Sequence, residues 1–232
     1  MQWSRDVSLE MNDGAKKKPR ENVATAESST ARGGCHATMI CSAPQGMHAP
    51  LASRTMSNSA HIVQFFRSDD EYVRAAGSFL REGLVSGETC VAVATAEHHR
   101  KLDGYLRDIG LEPDTLSAEY RYVPLQAEQL LPTFFDAHSG IDQQRFHHQL
   151  NQLIIQAASR GQPVRLFGEM VSLLAEQGHP GLAIQLEELW NELSRQHNFS
   201  LFCSYKVSPF TENPRYRKLL HSIHTQVMCD PA

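Results

Sequence analysis

Short apolar runs that end in a polar residue alternate along this chain with stretches whose apolar positions recur every three or four residues. Val164-Arg165-Leu166-Phe167-Gly168-Glu169-Met170 and Leu201-Phe202-Cys203-Ser204-Tyr205 are two such runs. Each has the length and composition of a buried strand. Between them the residues up to His197 carry the clearest amphipathic helix, with Leu182, Leu186, Leu189, Trp190 and Leu193 on one stripe and Glu187 and Asn191 at its border. Ile62–Phe66, Thr89–Ala94 and Tyr120–Leu125 read as three further strands. In the helix after the first strand, Tyr72, Val73, Ala76, Phe79, Leu80 and Leu84 fall on one face, with Asp69 or Asp70 as its cap. Further helices are expected from Thr95 to about Ile109, over about 126–137, 142–160 and 169–177, and from Asn213 to about 226, the last with Pro214 in its first turn. Five strands alternating with helices predict an α/β protein: three layers, a mostly parallel sheet and helices on both faces.

Residues 1–59 break this pattern. They are rich in Ser, Thr, Ala, Gly, Pro and Lys and show no periodicity, so a disordered tail over residues 1–58 is expected, followed by one domain over 59–228. Met56 stands just ahead of the first strand and is the expected natural start. Residues 1–59 hold seven Lys/Arg against five Asp/Glu, and the remainder fifteen against twenty-one, consistent with the overall formal charge of -4. The basic run Lys16-Lys17-Lys18-Pro19-Arg20 reads as part of a solvated tail, and the overall charge gives no pull toward nucleic acid or anionic membrane. There is no apolar run of membrane-spanning length and no secretory signal pattern. The five cysteines form no C-x-x-C pair, which fits a reduced, cytoplasmic protein.

The candidate chemistry lies at strand ends, because ligands of parallel sheets collect at the carboxyl ends of the strands. The turn after the second strand reads Thr95-Ala96-Glu97-His98-His99-Arg100-Lys101. It lacks the glycines and lysine of a phosphate loop, and Glu97 would repel phosphate. A helix N-terminus there still favours an anion. Glu169 follows its strand directly. It is either a general base or ligand acceptor, or a cap or ion-pair partner. Arg165, among apolar strand residues, needs a partner, with Glu187 or Glu169 as candidates. His61, just before the first strand, is either a strand-edge cap or a ligand contact. Of the twelve histidines only His221 and His224 are spaced to share a face, and with no carboxylate or thiol at fixed spacing no metal site is assigned. No Ser/His/Asp or Cys/His motif is visible.

Taken together, several segments resemble one family. They are H-I-V-Q-F-F from His61, F-L-R-E-G-L-V-S-G-E-T-C-V-A-V-A-T over 79–95, R-L-F-G-E-M over 165–170, L-E-E-L-W-N-E-L over 186–193, L-F-C-S-Y over 201–205 and H-S-I-H over 221–224. The chain from about 60 to 226 resembles the MEDS domain, the methanogen/methylotroph DcmR-type sensory domain. The resemblance implies a relative of RecA/KaiC-like ATPase folds whose phosphate loop is lost. It implies a non-catalytic sensory or regulatory module, without a cofactor, that binds a small ligand or a partner protein at the C-terminal edge of the sheet. No DNA-binding helix pair or kinase segment is recognisable, so the expected partner is a separate histidine kinase, response regulator or transcription factor. The contacts expected at that edge, by position, are His61, Thr95, Glu97, Arg165, Glu169 and Tyr205. The rival readings are an enzyme or residual nucleotide binder using Glu169, and a structural adaptor.

Overall fold

The computed structural model describes residues 38–40 and 60–228. The basic run, Met56 and the cysteines at 35, 41 and 229 lie outside them, whereas residues 38–40, within the expected tail, form a strand. The strands are β1 (Thr38–Ile40), β2 (His61–Phe66), β3 (Thr89–Ala94), β4 (Tyr122–Gln126), β5 (Phe135–Asp136), β6 (Gly140–Ile141), β7 (Val164–Gly168), β8 (Phe199–Lys206) and β9 (Gln226–Met228). The helices are α1 (Asp69–Val85), α2 (Ala96–Asp108), α3 (Pro113–Ala118), α4 (Ala127–Leu130), α5 (Gln143–Ala158), α6 (Met170–Glu176), α7 (Pro180–Gln196), α8 (Pro209–Glu212) and α9 (Pro214–Ile223). The five strands read from the apolar runs, β2, β3, β4, β7 and β8, are each followed by a helix. Seven strands form one sheet in the order β1-β9-β2-β8-β7-β3-β4, and every pairing in it is parallel. The expected α/β architecture is therefore the observed one.

Strand alternation divides the core in two. Val63, Phe65, Val91, Val93, Leu166, Leu201, Cys203 and Tyr205 face one side, under α5, α6 and α7. Ile62, Phe66, Cys90, Ala92, Phe167 and Phe202 face the other, under α1 and α2. β3 is buried along its whole length, as its unbroken apolar run requires.

The departures from the expected elements have local causes. The helix expected over about 126–137 ends after one turn. Pro132 lacks the N–H that would continue it, and a short 3-10 turn leads into the antiparallel pair β5–β6. Asp136 builds that hairpin by accepting the amides of His138 and Ser139 at 2.9 and 3.0 Å. Pro113 begins α3, a short helix absent from the expected elements, since its fixed φ suits a first helical turn. The last helix stops at Ile223. Thr225 then turns the chain into β9: its amide and hydroxyl donate to the His61 carbonyl at 2.8 and 3.0 Å, and its hydroxyl accepts the His61 amide at 2.9 Å. β9 has one buried residue, Val227, too short a signal to separate from the helix before it.

Arg165 shows how the sheet meets α1. It pairs with neither Glu187 nor Glu169. Its guanidinium grips both oxygens of Glu88 at 2.7 and 3.1 Å, reaches Glu82 at 3.4 Å and donates to the Phe79 carbonyl at 3.0 Å. Those groups come from α1 and the turn after it, on the same face of β7 as Phe167. Gly83 makes room for this: a methyl group there would lie 2.6 Å from Cys90 Sγ and 2.8 Å from Arg165 Cδ. Gly83→Ala is expected to destabilise the fold by about 1–3 kcal/mol through overpacking, read as a lower urea midpoint. An unchanged midpoint would mean that Arg165 is not held against α1.

Candidate carboxyl-edge site and a second buried carboxylate

Glu169 stands where β7 ends, and its backbone amide donates to the Val93 carbonyl at 3.1 Å, tying it to β3. Its side chain does not cap α6. It crosses to the β3–α2 turn, where one oxygen accepts the Thr95 amide and the other meets His98 Nδ1 at 2.5 Å. The neighbouring Ala96 amide donates to Glu128 at 3.3 Å, and the Thr95 hydroxyl accepts the His98 amide at 3.3 Å. The start of α2 thus receives two carboxylates from the chain itself. The anion that a helix N-terminus favours is supplied internally.

His98 is the hinge of this arrangement. Its ring stacks on Tyr72 with centroids 3.8 Å apart, and its Nε2 lies 3.9 Å from Asp69. Lys101 bridges Asp69 and Glu97, the latter at 2.8 Å. Burial disfavours the charged imidazole, yet the hydrogen bond and charge of Glu169 outweigh it and raise the His98 pKa. Burial likewise favours neutral Glu169, but His98 and the Thr95 amide reverse that and lower its pKa. Tyr72 is pushed the other way, its ionisation opposed by burial and by the Glu169 charge.

Behind Tyr72 lies a small cavity of about 10 Å³, walled by Phe66, Phe167 and Phe202 and lined by Gln64, Tyr72 and Ser204. Ser204 Oγ and Gln64 Oε1 are buried without a hydrogen-bond partner, and the Tyr72 hydroxyl has the Glu169 carboxylate beside it. Two unsatisfied polar side chains on the wall of a mainly apolar space the size of one water suit a water or the tip of a small solute.

Of the six residues expected at the carboxyl edge, Thr95 and Glu169 meet directly, and Glu97 joins them at the surface through Lys101, Asp69 and His98. Arg165 lies near the amino end of β7, bound to Glu88 and Glu82. His61 opens β2 and so lies toward the amino end as well. Tyr205 lies near the carboxyl end of β8 but turns to the opposite face, where its hydroxyl donates to Glu187 at 2.9 Å.

His61 and Tyr205 there belong to a second constellation, centred on Glu187. This carboxylate is fully buried in α7. Its Oε2 lies 3.1 Å from His61 Nε2 and accepts Cys203 Sγ at 3.2 Å, and its Oε1 lies 3.4 Å from His224 Nε2. Burial alone would raise the Glu187 pKa, but the two imidazoles lower it. Burial and the Glu187 charge raise the Cys203 and Tyr205 pKa values. His61, Glu187, Cys203 and His224 are the metal-capable cluster among the described residues. Sequence reading passed over it because the four are far apart in the chain. The available signal was a glutamate inside the apolar stripe of a helix.

The His98–Glu169 pair sets a pH dependence. His98 is raised, so its contribution is complete below the ordinary value of 6.5 and is lost as pH climbs through the raised pKa. Glu169 is lowered, so its contribution is complete above the ordinary value of 4.5 and is lost as pH falls through the lowered pKa. His98→Gln keeps a donor but removes the charge, and is expected to cost about 1 kcal/mol between those two values and progressively less at alkaline pH. Urea unfolding across pH checks this, and a pH-independent difference would contradict it.

A search of curated proteins finds no match. The family model described as MEDS, the MEthanogen/methylotroph, DcmR Sensory domain, matches residues 60–219, which span β2 through most of α9 and every residue of the carboxyl-edge site. This chain therefore belongs to the MEDS family of sensory domains.

Proposed function

We propose that this chain is a non-catalytic sensory or regulatory module acting in the cytoplasm, and that its input is a small solute admitted beside Tyr72 at the carboxyl edge of the sheet. The observation that carries the reading is the double role of Tyr72. One part of the residue lines the cavity with Gln64 and Ser204, and its ring stacks on His98. A solute that reaches the orphaned Gln64 and Ser204 atoms would move Tyr72. Its movement would disturb the His98–Glu169 pair and thereby the start of α2. Ligand preference for one arrangement of α1 and α2 then becomes a population shift on their outer surface. A separate signalling protein, such as a histidine kinase, response regulator or transcription factor, would read that surface.

Two features argue against the rival use of Glu169 as a catalytic base or nucleotide contact. Both of its oxygens are already engaged, and the amides at the start of α2 meet carboxylates where phosphate would have to bind. Among the described residues no helix is long and apolar enough to cross a membrane.

Thermal-shift measurements with small solutes that carry one polar group on a short apolar body test the proposal. At least one is expected to raise the unfolding temperature of the wild-type chain, and Ser204→Val, which fills the cavity and removes a polar partner, is expected to abolish the rise. The absence of any response in the wild type, or an equal response in Ser204→Val, would contradict it.

A further inference from the structure

We infer that His61, Glu187, Cys203 and His224 form a site for one late first-row divalent cation of the Zn²⁺ type. The four donors come from β2, α7, β8 and the residue that caps α9. None is more than 3% exposed, and their ligand atoms all lie within 4.8 Å of one another.

Tautomers provide the first argument. The Asn191 amide nitrogen donates to the Ile223 carbonyl at 3.0 Å, which turns its oxygen to His61 Nδ1 at 2.9 Å. His224 Nδ1 lies 2.7 Å from the Leu220 carbonyl. Both oxygens can only accept, so both Nδ1 atoms carry the proton. In neutral rings each Nε2 then presents a lone pair to the cluster. The His224 Nε2 is buried with no hydrogen-bond partner, 3.4 Å from a carboxylate oxygen. The metal-free cluster can keep one Nε2 protonated against Glu187, but protonating both rings would hold two cations with centroids 4.1 Å apart in a site closed to water. A single metal ion satisfies both lone pairs, the carboxylate and the thiolate together.

Geometry and composition agree with that. A tetrahedral ion with bonds of about 2.0–2.3 Å has ligand–ligand edges of roughly 3.3–3.8 Å. Glu187 Oε2, His61 Nε2 and Cys203 Sγ form one face with edges of 3.1, 3.2 and 3.4 Å, while His224 Nε2 lies 3.4 Å from the other carboxylate oxygen, so the fourth donor has to draw in from separations of up to 4.8 Å to close on one ion. Thiolate, two imidazoles and one carboxylate is a borderline-soft set that suits Zn²⁺ and its neighbours over Mg²⁺ or Ca²⁺. The ring N–H of each histidine is fixed by an oxygen, as metal-ligating histidines require, and the Tyr205 hydroxyl donates to Glu187 behind it. All four positions are filled by protein, so the site is structural. It would fasten the end of α9, and with it β9, to the centre of the sheet. Binding displaces the Cys203 thiol proton to solvent as the thiolate–metal bond forms.

Cobalt(II) titration of the chelator-treated full chain tests the inference, since tetrahedral thiolate-bound cobalt absorbs strongly. One equivalent is expected to bind, with a thiolate-to-cobalt charge-transfer band, and X-ray absorption should find one sulfur and three nitrogen or oxygen neighbours. Cys203→Ser is expected to abolish the band, Cys90→Ser to retain it, and His224→Gln to weaken binding at least tenfold. No stoichiometric binding by the wild type, a sulfur count other than one, or a band that persists in Cys203→Ser would overturn the assignment. The wild-type sulfur count decides the matter even if a variant does not fold.

Discussion

A carboxylate placed inside a protein must be met by groups that replace water, and this fold meets that demand twice. Glu169 and Glu187 are 2% and 0% exposed. An isolated buried carboxylate would be far too costly to keep ionised. Each is therefore a point at which several elements must arrive together. At Glu169 these are the end of β7, the β3–α2 turn and, through His98, the Tyr72 ring of α1. At Glu187 they are β2, β8, α7 and the close of α9. The apolar core supplies most of the burial, but its contacts are non-directional. These two charges need their partners in place, because a displaced partner leaves a buried charge unpaired.

The two carboxylates lie on opposite faces of one sheet and have different capacities for change. Around Glu187 the packing is closed: Asn191, Leu220 and Thr225 fix the orientation of its partners and lock the C-terminal segment. Around Glu169 one wall is incomplete, with unsatisfied polar atoms behind Tyr72 and a charged relay from His98 through Asp69 and Lys101 to the surface at Glu97. Under the proposed function, displacement would be confined to α1 and α2, on the face opposite the closed Glu187 cluster. The helix start at which parallel sheets commonly hold an anion is here occupied by the chain's own carboxylates.

The sheet was legible because its strands are long apolar runs and its helices have clean stripes, so period alone separates them. The position of Glu169 was legible for the same reason, as the first polar residue after such a run. Its partner was not, since nothing local links residue 169 to His98. Register and crossover bring those residues together, and one sequence does not state register. Arg165 illustrates the same limit: its need for a partner was clear, but Glu88 and Glu82 were passed over for glutamates closer in sequence. Glu187 was visible at the border of a leucine stripe and was given no role beyond a candidate partner for Arg165. Short elements failed for another reason. β9 and the β5–β6 hairpin hold two or three residues each, and hydrogen bonds from Thr225 and Asp136, not hydrophobic period, determine them.

The direct test of this account is a carboxyl-carbon NMR titration of the glutamates, with Glu169 and Glu187 assigned by substitution to Gln. Both side chains are predicted to stay ionised until the pH is below the ordinary glutamate value of 4.5. Protonation of either one at or above that value would mean that the charge is not held by the partners described, and the account built on the two buried carboxylates would fail.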